Sequence, residues 1–126
     1  MTDGSRFKIL VIDDTGPVLV LCVNVLQAAG YSIRAANRGE AALDLLRQEA
    51  FDLLLTDYRM PGMNGFEVLE RARVIRPDMA FMLMTGHGTP EVINEATGLG
   101  FNSILSKPFT PSELREAVDK ALGSKA

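Results

Sequence analysis

Residues 53–65 run Leu53-Leu54-Leu55-Thr56-Asp57-Tyr58-Arg59-Met60-Pro61-Gly62-Met63-Asn64-Gly65. The first four residues form a short apolar run, which is typical of a strand buried on both faces of a parallel sheet. The Pro and Gly residues that follow indicate a loop. A carboxylate, Asp57, lies where the strand gives way to this loop. We therefore predict a charged oxygen nucleophile at the rim of a sheet.

Short apolar runs alternate with longer stretches of helical periodicity along the whole chain. The short runs predict strands at Lys8–Ile12, Tyr31–Ala35, Leu53–Thr56, Ala80–Met84 and Ser103–Ser106. The periodic stretches predict helices at Pro17–Ala29, Gly39–Gln48, Phe66–Val74, Pro90–Thr97 and Pro111–Leu122. Five β-α units in 126 residues predict one α/β domain, a doubly wound five-stranded parallel sheet flanked by five helices. Its ordered core should span about residues 7–122 with short tails at both ends, and its site should lie beyond the carboxyl ends of the strands.

Composition excludes several classes of function. The formal net charge of −3 argues against a nucleic-acid-binding surface spread over the whole chain, and we expect no direct binding of nucleic acid. The single cysteine, Cys22, cannot form an intramolecular disulfide and suits a reducing cytosol. The first residues lack the apolar core of a signal peptide, and no apolar run is long enough to span a bilayer. We expect a cytoplasmic protein that does not bind membranes.

Polar residues recur at four of the five predicted strand ends, namely at Asp13, Asp14, Asp57, Thr85 and Lys107. A lone aspartate at a strand end is usually a helix cap or a turn former. Recurrence along one edge of a sheet instead indicates a shared site. Clustered carboxylates repel one another unless a cation lies among them, and Mg²⁺ (or Mn²⁺) prefers carboxylate, water and phosphate oxygens. The set therefore predicts a site for a divalent cation and a phosphoryl group.

Four motifs carry a family resemblance: Ile12-Asp13-Asp14, Thr56-Asp57 with the loop to Gly65, Met84-Thr85-Gly86 and Ser106-Lys107-Pro108-Phe109. Together, in this order and spacing, they resemble the receiver domain of two-component response regulators over nearly the whole chain. The resemblance implies a flavodoxin-like fold with Asp57 as the phosphoacceptor and Asp13 and Asp14 as the acidic pair. It also implies that Thr85 is the switch hydroxyl and that Lys107 is the active-site lysine of the family motif. A cis peptide bond is implied before Pro108.

The resemblance implies a signalling switch rather than a conventional enzyme. A histidine kinase or a histidine phosphotransfer protein would supply the phosphoryl group, and a downstream protein would be the target. Asp14, Asp57 and the Arg59 carbonyl oxygen would bind the metal directly, with Asp13 acting through water. The side chains of Arg59 and His87 would overhang the site and tune hydrolysis of the phosphoryl group, although a loop residue without such a role is the more common state for His87.

Two positions depart from the family pattern. Many receivers carry Tyr or Phe three residues before the lysine, where the ring turns inward on phosphorylation. This chain has Ile104 at that position, so we treat Thr85 and Ile104 together as the switch position. The acidic pair is followed by Thr15 rather than by a third acidic residue, and we expect Thr15 to cap the first helix.

The first predicted helix, Pro17–Ala29, contains no charged residue. Helical spacing places Leu19, Cys22, Val23 and Leu26 toward the sheet and directs Val20, Leu21 and Val25 away from it. A helix that is apolar nearly all round usually has a second partner. Docking of the phosphoryl donor on Val20, Leu21 and Val25 is our main hypothesis. Self-association as a weak homodimer and an apolar helix without a partner are the alternatives.

Three classes of function remain open. A phosphorylatable switch accounts for every motif. A hydrolase of the haloacid-dehalogenase type would need an Asp-x-Asp pattern after the first strand, and Ile12-Asp13-Asp14-Thr15 does not match it. A pseudo-receiver that acts only as a binding module would normally have lost part of the acidic set. The chain is therefore expected to be a receiver, whether it stands alone or is a domain of a hybrid histidine kinase or larger regulator.

Overall fold

A computed structural model describes residues 7–86 and 88–123 of the chain. The elements alternate in the order β1 (Lys8–Ile12), α1 (Gly16–Ala28), β2 (Ser32–Ala36), α2 (Gly39–Gln48), β3 (Leu53–Asp57), α3 (Gly65–Ile75), β4 (Ala80–Thr85), α4 (Pro90–Leu99), β5 (Ser103–Ser106) and α5 (Pro111–Gly123). All strand pairs are parallel, and the sheet order is β2-β1-β3-β4-β5. The predicted doubly wound α/β fold is confirmed.

Three strands, β2, β3 and β4, end one residue later than predicted, and the extra residues of β3 and β4 belong to the candidate site. Asp57 pairs with Met84 across β3 and β4, and Thr85 pairs with Ser106 across β4 and β5. Both side chains are therefore fixed by the sheet rather than by loops.

The second strand begins one residue later than predicted. Tyr31 precedes β2 because its amide donates to the carbonyl of Leu26 and so completes the end of α1. Gly30, with φ of 99°, supplies the left-handed turn between the helix and the strand.

Each face of the sheet carries its own core. Alternate side chains of β1 show the division, since Leu10 and Ile12 belong to one buried cluster and Ile9 and Val11 to the other. The first cluster packs under α2, α3 and α4, and the second under α1 and α5. The central strands β3 and β4 are buried along their whole length, as expected when helices cover both faces.

The amino end of the sheet carries a group of ion pairs, which we call the amino-end ion cluster. The ammonium of Lys8, at the start of β1, and the guanidinium of Arg34 both contact the carboxylate of Glu49 at the end of α2. The amide of Lys8 donates to a carboxylate oxygen of Asp52 at 2.8 Å. These contacts tie α2 and the segment before β3 to β1 and β2, at the end opposite the strand-end aspartates.

The orientation predicted for α1 is only partly correct. Cys22 and Leu26 are buried as expected, but among the three residues predicted to face outward only Val20 is exposed, at 59%. Leu21 and Val25 are half-buried, because α5 packs alongside α1. Although α1 carries no charge, no helix among residues 7–86 and 88–123 has both the length and the apolar character needed to cross a membrane.

Candidate functional site

Three strand-end aspartates meet at the carboxyl edge of the sheet. Asp13 directly follows β1 and is fully buried, Asp14 is exposed beside it, and Asp57 closes β3 with 7% of its surface exposed. One carboxylate oxygen from each lies within 4.8 Å of the other two. The sequence pattern therefore located a real cluster, because adjacent parallel strands end at the same edge.

Lys107 bridges two of these carboxylates. Its ammonium donates to Asp13 Oδ2 at 2.8 Å and to Asp57 Oδ1 at 3.0 Å. The Lys107 amide donates to the Thr85 carbonyl at 2.9 Å, which fixes the backbone of this residue against β4. The Lys107–Pro108 peptide is cis, as the resemblance implied. Burial alone would lower the pKa of Lys107, but the hydrogen bonds to Asp13 and Asp57 outweigh it, and the net shift is upward. Lys107 is therefore a firmly protonated cation between two carboxylates.

The carboxylate of Asp57 is held at one oxygen. Oδ1 accepts hydrogen bonds from Lys107 Nζ and, at 2.9 Å, from the amide of Tyr58, whereas Oδ2 accepts none from the described residues. Burial raises the pKa of Asp57, and the negative charge of Asp13 adds to that rise. The Lys107 ammonium and the Tyr58 amide oppose the rise without cancelling it. The ionised form of Asp57 is thus under-compensated, so further positive charge at this site would stabilise it.

The donor set fits a hard divalent cation. Asp13 is already fully engaged, because the Thr15 amide donates to its Oδ1 at 2.8 Å and Lys107 binds its Oδ2. The Asp14 carboxylate makes no hydrogen bond or ion pair with the described residues and faces solvent. Carboxylate oxygens with water to fill the remaining positions are what Mg²⁺ prefers in proteins.

The hydrogen bond from Thr15 to Asp13 also corrects a prediction. Thr15 is the N-cap residue of α1, but its side chain makes no capping hydrogen bond. Its backbone amide binds the buried carboxylate of Asp13 instead. Thr15 therefore contributes a hydrogen bond to the site and no side-chain cap to the helix.

Gly65 brings the loop after Asp57 back onto the strand. Its amide donates to the Tyr58 carbonyl at 2.8 Å, and a Cβ added at this position would lie 2.5 Å from the Asp57 carbonyl oxygen. Only glycine allows this approach. Asn64 and Glu67 then form a reciprocal capping box that begins α3. The loop is thus fixed at both ends by residues of its own motif.

A cleft of about 520 Å³ opens beside Asp14. Its lining comprises Asp14, Tyr58, Arg59, Met60, Pro61 and Asn64. Arg59 is exposed in this lining, two residues after Asp57. The cleft therefore brings Arg59 and Tyr58 into the lining next to Asp14 of the acidic cluster.

The predicted switch residues lie on the neighbouring strands. Thr85 is the last residue of β4 and is 1% exposed. Ile104 is half-buried in β5, pairs with Leu83 and packs against the cluster under α4. His87 lies outside the described residues, so its tuning role is without a structural account.

The apolar surface on α1 continues into the loop after β5. Leu21 lines a groove of about 340 Å³ together with Val18, Lys107, Pro108 and Phe109, next to exposed Val20. Val25 lies in a separate depression with Pro111 and Arg115 of α5. The three predicted docking residues therefore do not share one patch, and of the three only Leu21 lines the groove that contains Lys107.

Sequence reasoning missed a set of contacts between α3 and the end of α4. The Tyr58 and Phe66 rings pack with their centroids 4.7 Å apart, and Phe66 contacts Phe101 at 5.9 Å. The guanidinium of Arg73 donates to the carbonyl of Leu99. No periodicity or motif marks these residues as neighbours, because they come from three separate segments of the chain.

Comparison with known proteins agrees with this geometry. The response regulator receiver domain family matches residues 9–119. Sporulation initiation phosphotransferase F of Bacillus subtilis is 38% identical over 119 residues, covering 94% of this chain and 96% of that protein. Chemotaxis protein CheY-3 of Vibrio cholerae is 34% identical over 120 residues, covering 93% of this chain and 92% of its own.

A solved structure gives the same result for the fold. The CheY-like receiver domain protein of Methanospirillum hungatei superposes with a TM-score of 0.89 at 29% identity, covering 94% of this chain and 95% of that one. The sequence match and the structural match both extend over the sheet and the strand-end cluster.

Proposed function

Because the chain belongs to the response regulator receiver domain family, we propose that it is a phosphorylatable switch in which Asp57 accepts a phosphoryl group. Receiver domains are signalling proteins rather than conventional enzymes. The observation that carries the proposal is the bridge from the Lys107 ammonium to the carboxylates of Asp13 and Asp57. It places a cation beside the Asp57 carboxylate, whose second oxygen accepts no hydrogen bond from residues 7–86 and 88–123.

The reaction is a single displacement at phosphorus. A carboxylate oxygen of Asp57 attacks the phosphorus of a phosphohistidine, an O–P bond forms, and the N–P bond breaks with its electron pair returning to the imidazole. With a small acyl phosphate the leaving group is instead a carboxylate. Little other covalent chemistry is required of the protein, so positioning and charge stabilisation account for most of the acceleration.

Lys107 supplies positive charge where negative charge develops. In the resting site its ammonium is shared between Asp13 and Asp57, and its net raised pKa keeps it protonated at neutral pH. We propose that the same ammonium contacts the phosphoryl oxygens after transfer. Asp13 keeps the lysine in position, because Asp13 is fully buried and anchored by the Thr15 amide.

Asp13, Asp14, Asp57 and the Arg59 carbonyl would hold the divalent cation, with Asp13 acting through water. When bound, Mg²⁺ or Mn²⁺ would neutralise part of the charge on the transferring phosphoryl group. The three clustered carboxylates and the upward shift in the pKa of Asp57 support this assignment. The side chains of Arg59 and His87 remain the predicted tuning groups for hydrolysis.

Phosphorylation of Asp57 would change the conformation of the neighbouring strands β4 and β5. A phosphoryl group adds charge and strong acceptor oxygens, to which the Thr85 hydroxyl would donate. Thr85 is buried at the end of β4, and the loop that follows leads into α4. We propose that the surface around α4 and β5, including Ile104, changes and is recognised by a downstream protein.

The test is intact mass after incubation with Mg²⁺ and acetyl phosphate. Wild type should gain the mass of one phosphoryl group, and Asp57→Asn should gain none. Lys107→Met, which leaves the nucleophile in place, should be phosphorylated far more slowly. A wild type without added mass, or equal addition to Asp57→Asn, would refute the assignment.

We further propose that a helical phosphoryl donor docks on the surface formed by Val20 and Leu21 of α1. This surface adjoins the groove at Lys107, so a donor bound there would reach the site. Val20→Glu should slow transfer from a phosphorylated histidine phosphotransfer protein and spare acetyl phosphate. The matched control is Val74→Glu, because Val74 is 84% exposed on α3, across the sheet. Equal transfer rates for the two variants would rule this docking surface out.

A further inference from the structure

Three aromatic rings connect the candidate phosphoacceptor to the far end of α4. Tyr58 directly follows Asp57, Phe66 is the second residue of α3, and Phe101 follows the end of α4. Their ring centroids are separated by 4.7 Å and 5.9 Å along this series. Phe66 and Phe101 are 6% and 5% exposed, so the series runs through the core. We call these three residues the aromatic column.

The first ring is linked to the site in two ways. The Tyr58 amide donates to Asp57 Oδ1 at 2.9 Å, and the Tyr58 carbonyl accepts from the Gly65 amide. Tyr58 also belongs to the lining of the cleft beside Asp14. A group attached to Asp57, or a donor in the cleft, therefore acts directly on Tyr58.

The last ring is linked to the carboxyl-terminal end of α4. The Phe101 amide donates to the Ala96 carbonyl at 3.1 Å across Gly100, whose φ of 114° ends the helix. Arg73 of α3 donates to the carbonyl of Leu99 in the same turn. This end of the helix is thus fastened to α3 and to the column.

The other end of α4 is attached less extensively, through half-buried Val92, which packs against the cluster under α2, α3 and α4, and through the Thr89 cap. Ala96 is the single buried residue of the helix, whereas Pro90 and Glu91 at its start are exposed. Gly86 and Gly88 precede it, and an added Cβ at either would meet only contacts of 3.8 Å or more. Helix α4 is therefore anchored at one end and weakly packed at the other.

We propose that the aromatic column is a positioning and coupling element, through which Tyr58 orients the Asp57 carboxylate and transmits its state to the anchored end of α4. This inference rests on the proposed phosphorylation of Asp57. It gives the chain a route to α4 that does not need an aromatic residue at position 104. Aromatic rings in a close-packed core do not shift alone, because displacement of one forces its neighbours to move.

Coupling of this kind is reciprocal, so a substitution at Phe101 must also change the environment of Asp57. A substitution far from the chemistry can therefore test it. Phe101→Leu shortens the column at its distal end. Phe51→Leu is a matched control, because Phe51 is 6% exposed in the same buried cluster but lies before β3, where its ring contacts Lys8 rather than the column.

The chain contains no Trp and only two Tyr, so Tyr31→Phe leaves Tyr58 as the single tyrosine fluorophore. In this background, phosphorylation with acetyl phosphate and Mg²⁺ should change Tyr58 emission. Phe101→Leu should reduce that change by about two-fold or more, while Phe51→Leu should preserve it. Equal responses in the two variants would overturn the coupling.

Hydrogen exchange at the other end of the column provides the second measurement. Phosphorylation should alter amide exchange in a peptide covering residues 96–102, and Tyr58→Leu should suppress that alteration. Intact mass separates the two proposals. A phosphorylated parent with unchanged Tyr58 emission would refute the column alone, whereas a parent without phosphoryl mass would refute both.

Discussion

Replacing Lys107 with Met tests the electrostatics of the site without touching the nucleophile. The substitution removes charge-assisted hydrogen bonds of 2.8 Å to Asp13 and 3.0 Å to Asp57 while keeping a side chain of similar length. Removing one partner of a buried ion pair costs about 3–5 kcal/mol of stability. The Lys107 side chain is 21% exposed, so water relieves part of the loss and the lower end applies. We expect a loss of about 3 kcal/mol at pH 7 without metal, or roughly 10 °C in Tm.

The pH dependence of this loss has a defined sign. The pKa of Lys107 is raised in the folded protein, so its stabilisation is fully present below the unfolded-state value of about 10 and is lost only above it. Without Lys107, the pKa of Asp57 rises further above its already raised position. Protonation of Asp57 then relieves its repulsion with Asp13. The stability difference between wild type and Lys107→Met should therefore shrink as pH falls from 7 toward about 4.

Urea unfolding in EDTA at several pH values measures the deficit. Lys120→Met is the control, because Lys120 is exposed on α5 and a surface substitution should change stability by less than about 0.5 kcal/mol. A Lys107→Met variant as stable as this control at pH 7 would refute the reasoning. So would a deficit that grows as the pH is lowered.

Three further substitutions or reactions test other parts of the structure. Burial raises the pKa of the Cys22 thiol to about 12, so its reaction with DTNB at pH 8 should be at least about 100-fold slower in the native protein than in urea. Burial and a hydrogen bond to an α5 carboxylate raise the pKa of Tyr31. Tyr31→Phe should therefore remove about 1 kcal/mol of stability that is fully present below about pH 10 and declines as the pH rises toward the raised pKa. Urea unfolding should show a smaller difference between Tyr31→Phe and wild type at pH 11 than at pH 8. Gly65→Ala places a Cβ 2.5 Å from the Asp57 carbonyl oxygen, which should cost about 1–3 kcal/mol in thermal unfolding and slow phosphorylation. Gly16→Ala, where an added Cβ has no atom within 4 Å, should do neither.

The fold and the acidic cluster could be predicted because both depend on local patterns. An apolar run followed by a polar residue places a strand end, and parallel strands bring such ends together. Asp13, Asp57 and Lys107 were located in this way, although Asp57 and Thr85 belong to the strands themselves. The sequence could not show that Lys107 would bridge two carboxylates, since this depends on side-chain conformation.

The contacts that sequence reasoning missed depend on packing between distant segments. Helical spacing directed Leu21 and Val25 away from the sheet, but a neighbouring helix covers part of that side. Phe66 and Phe101 lie 35 residues apart in the chain and touch only because α3 and α4 are neighbours on one face. Thr15 had the residue type of a cap, but the buried carboxylate of Asp13 engages its amide.

The amino-end ion cluster allows thermal stability to be engineered separately from signalling. Lys8 and Asp13 stand at opposite ends of β1, five residues apart and therefore separated by about 16 Å. Effects of substitutions at this separation usually add without coupling. A stronger network around Glu49 could thus serve as a common stabilised background. Damaging variants of the phosphoacceptor region would remain folded in that background, and their kinetics could be compared at one temperature.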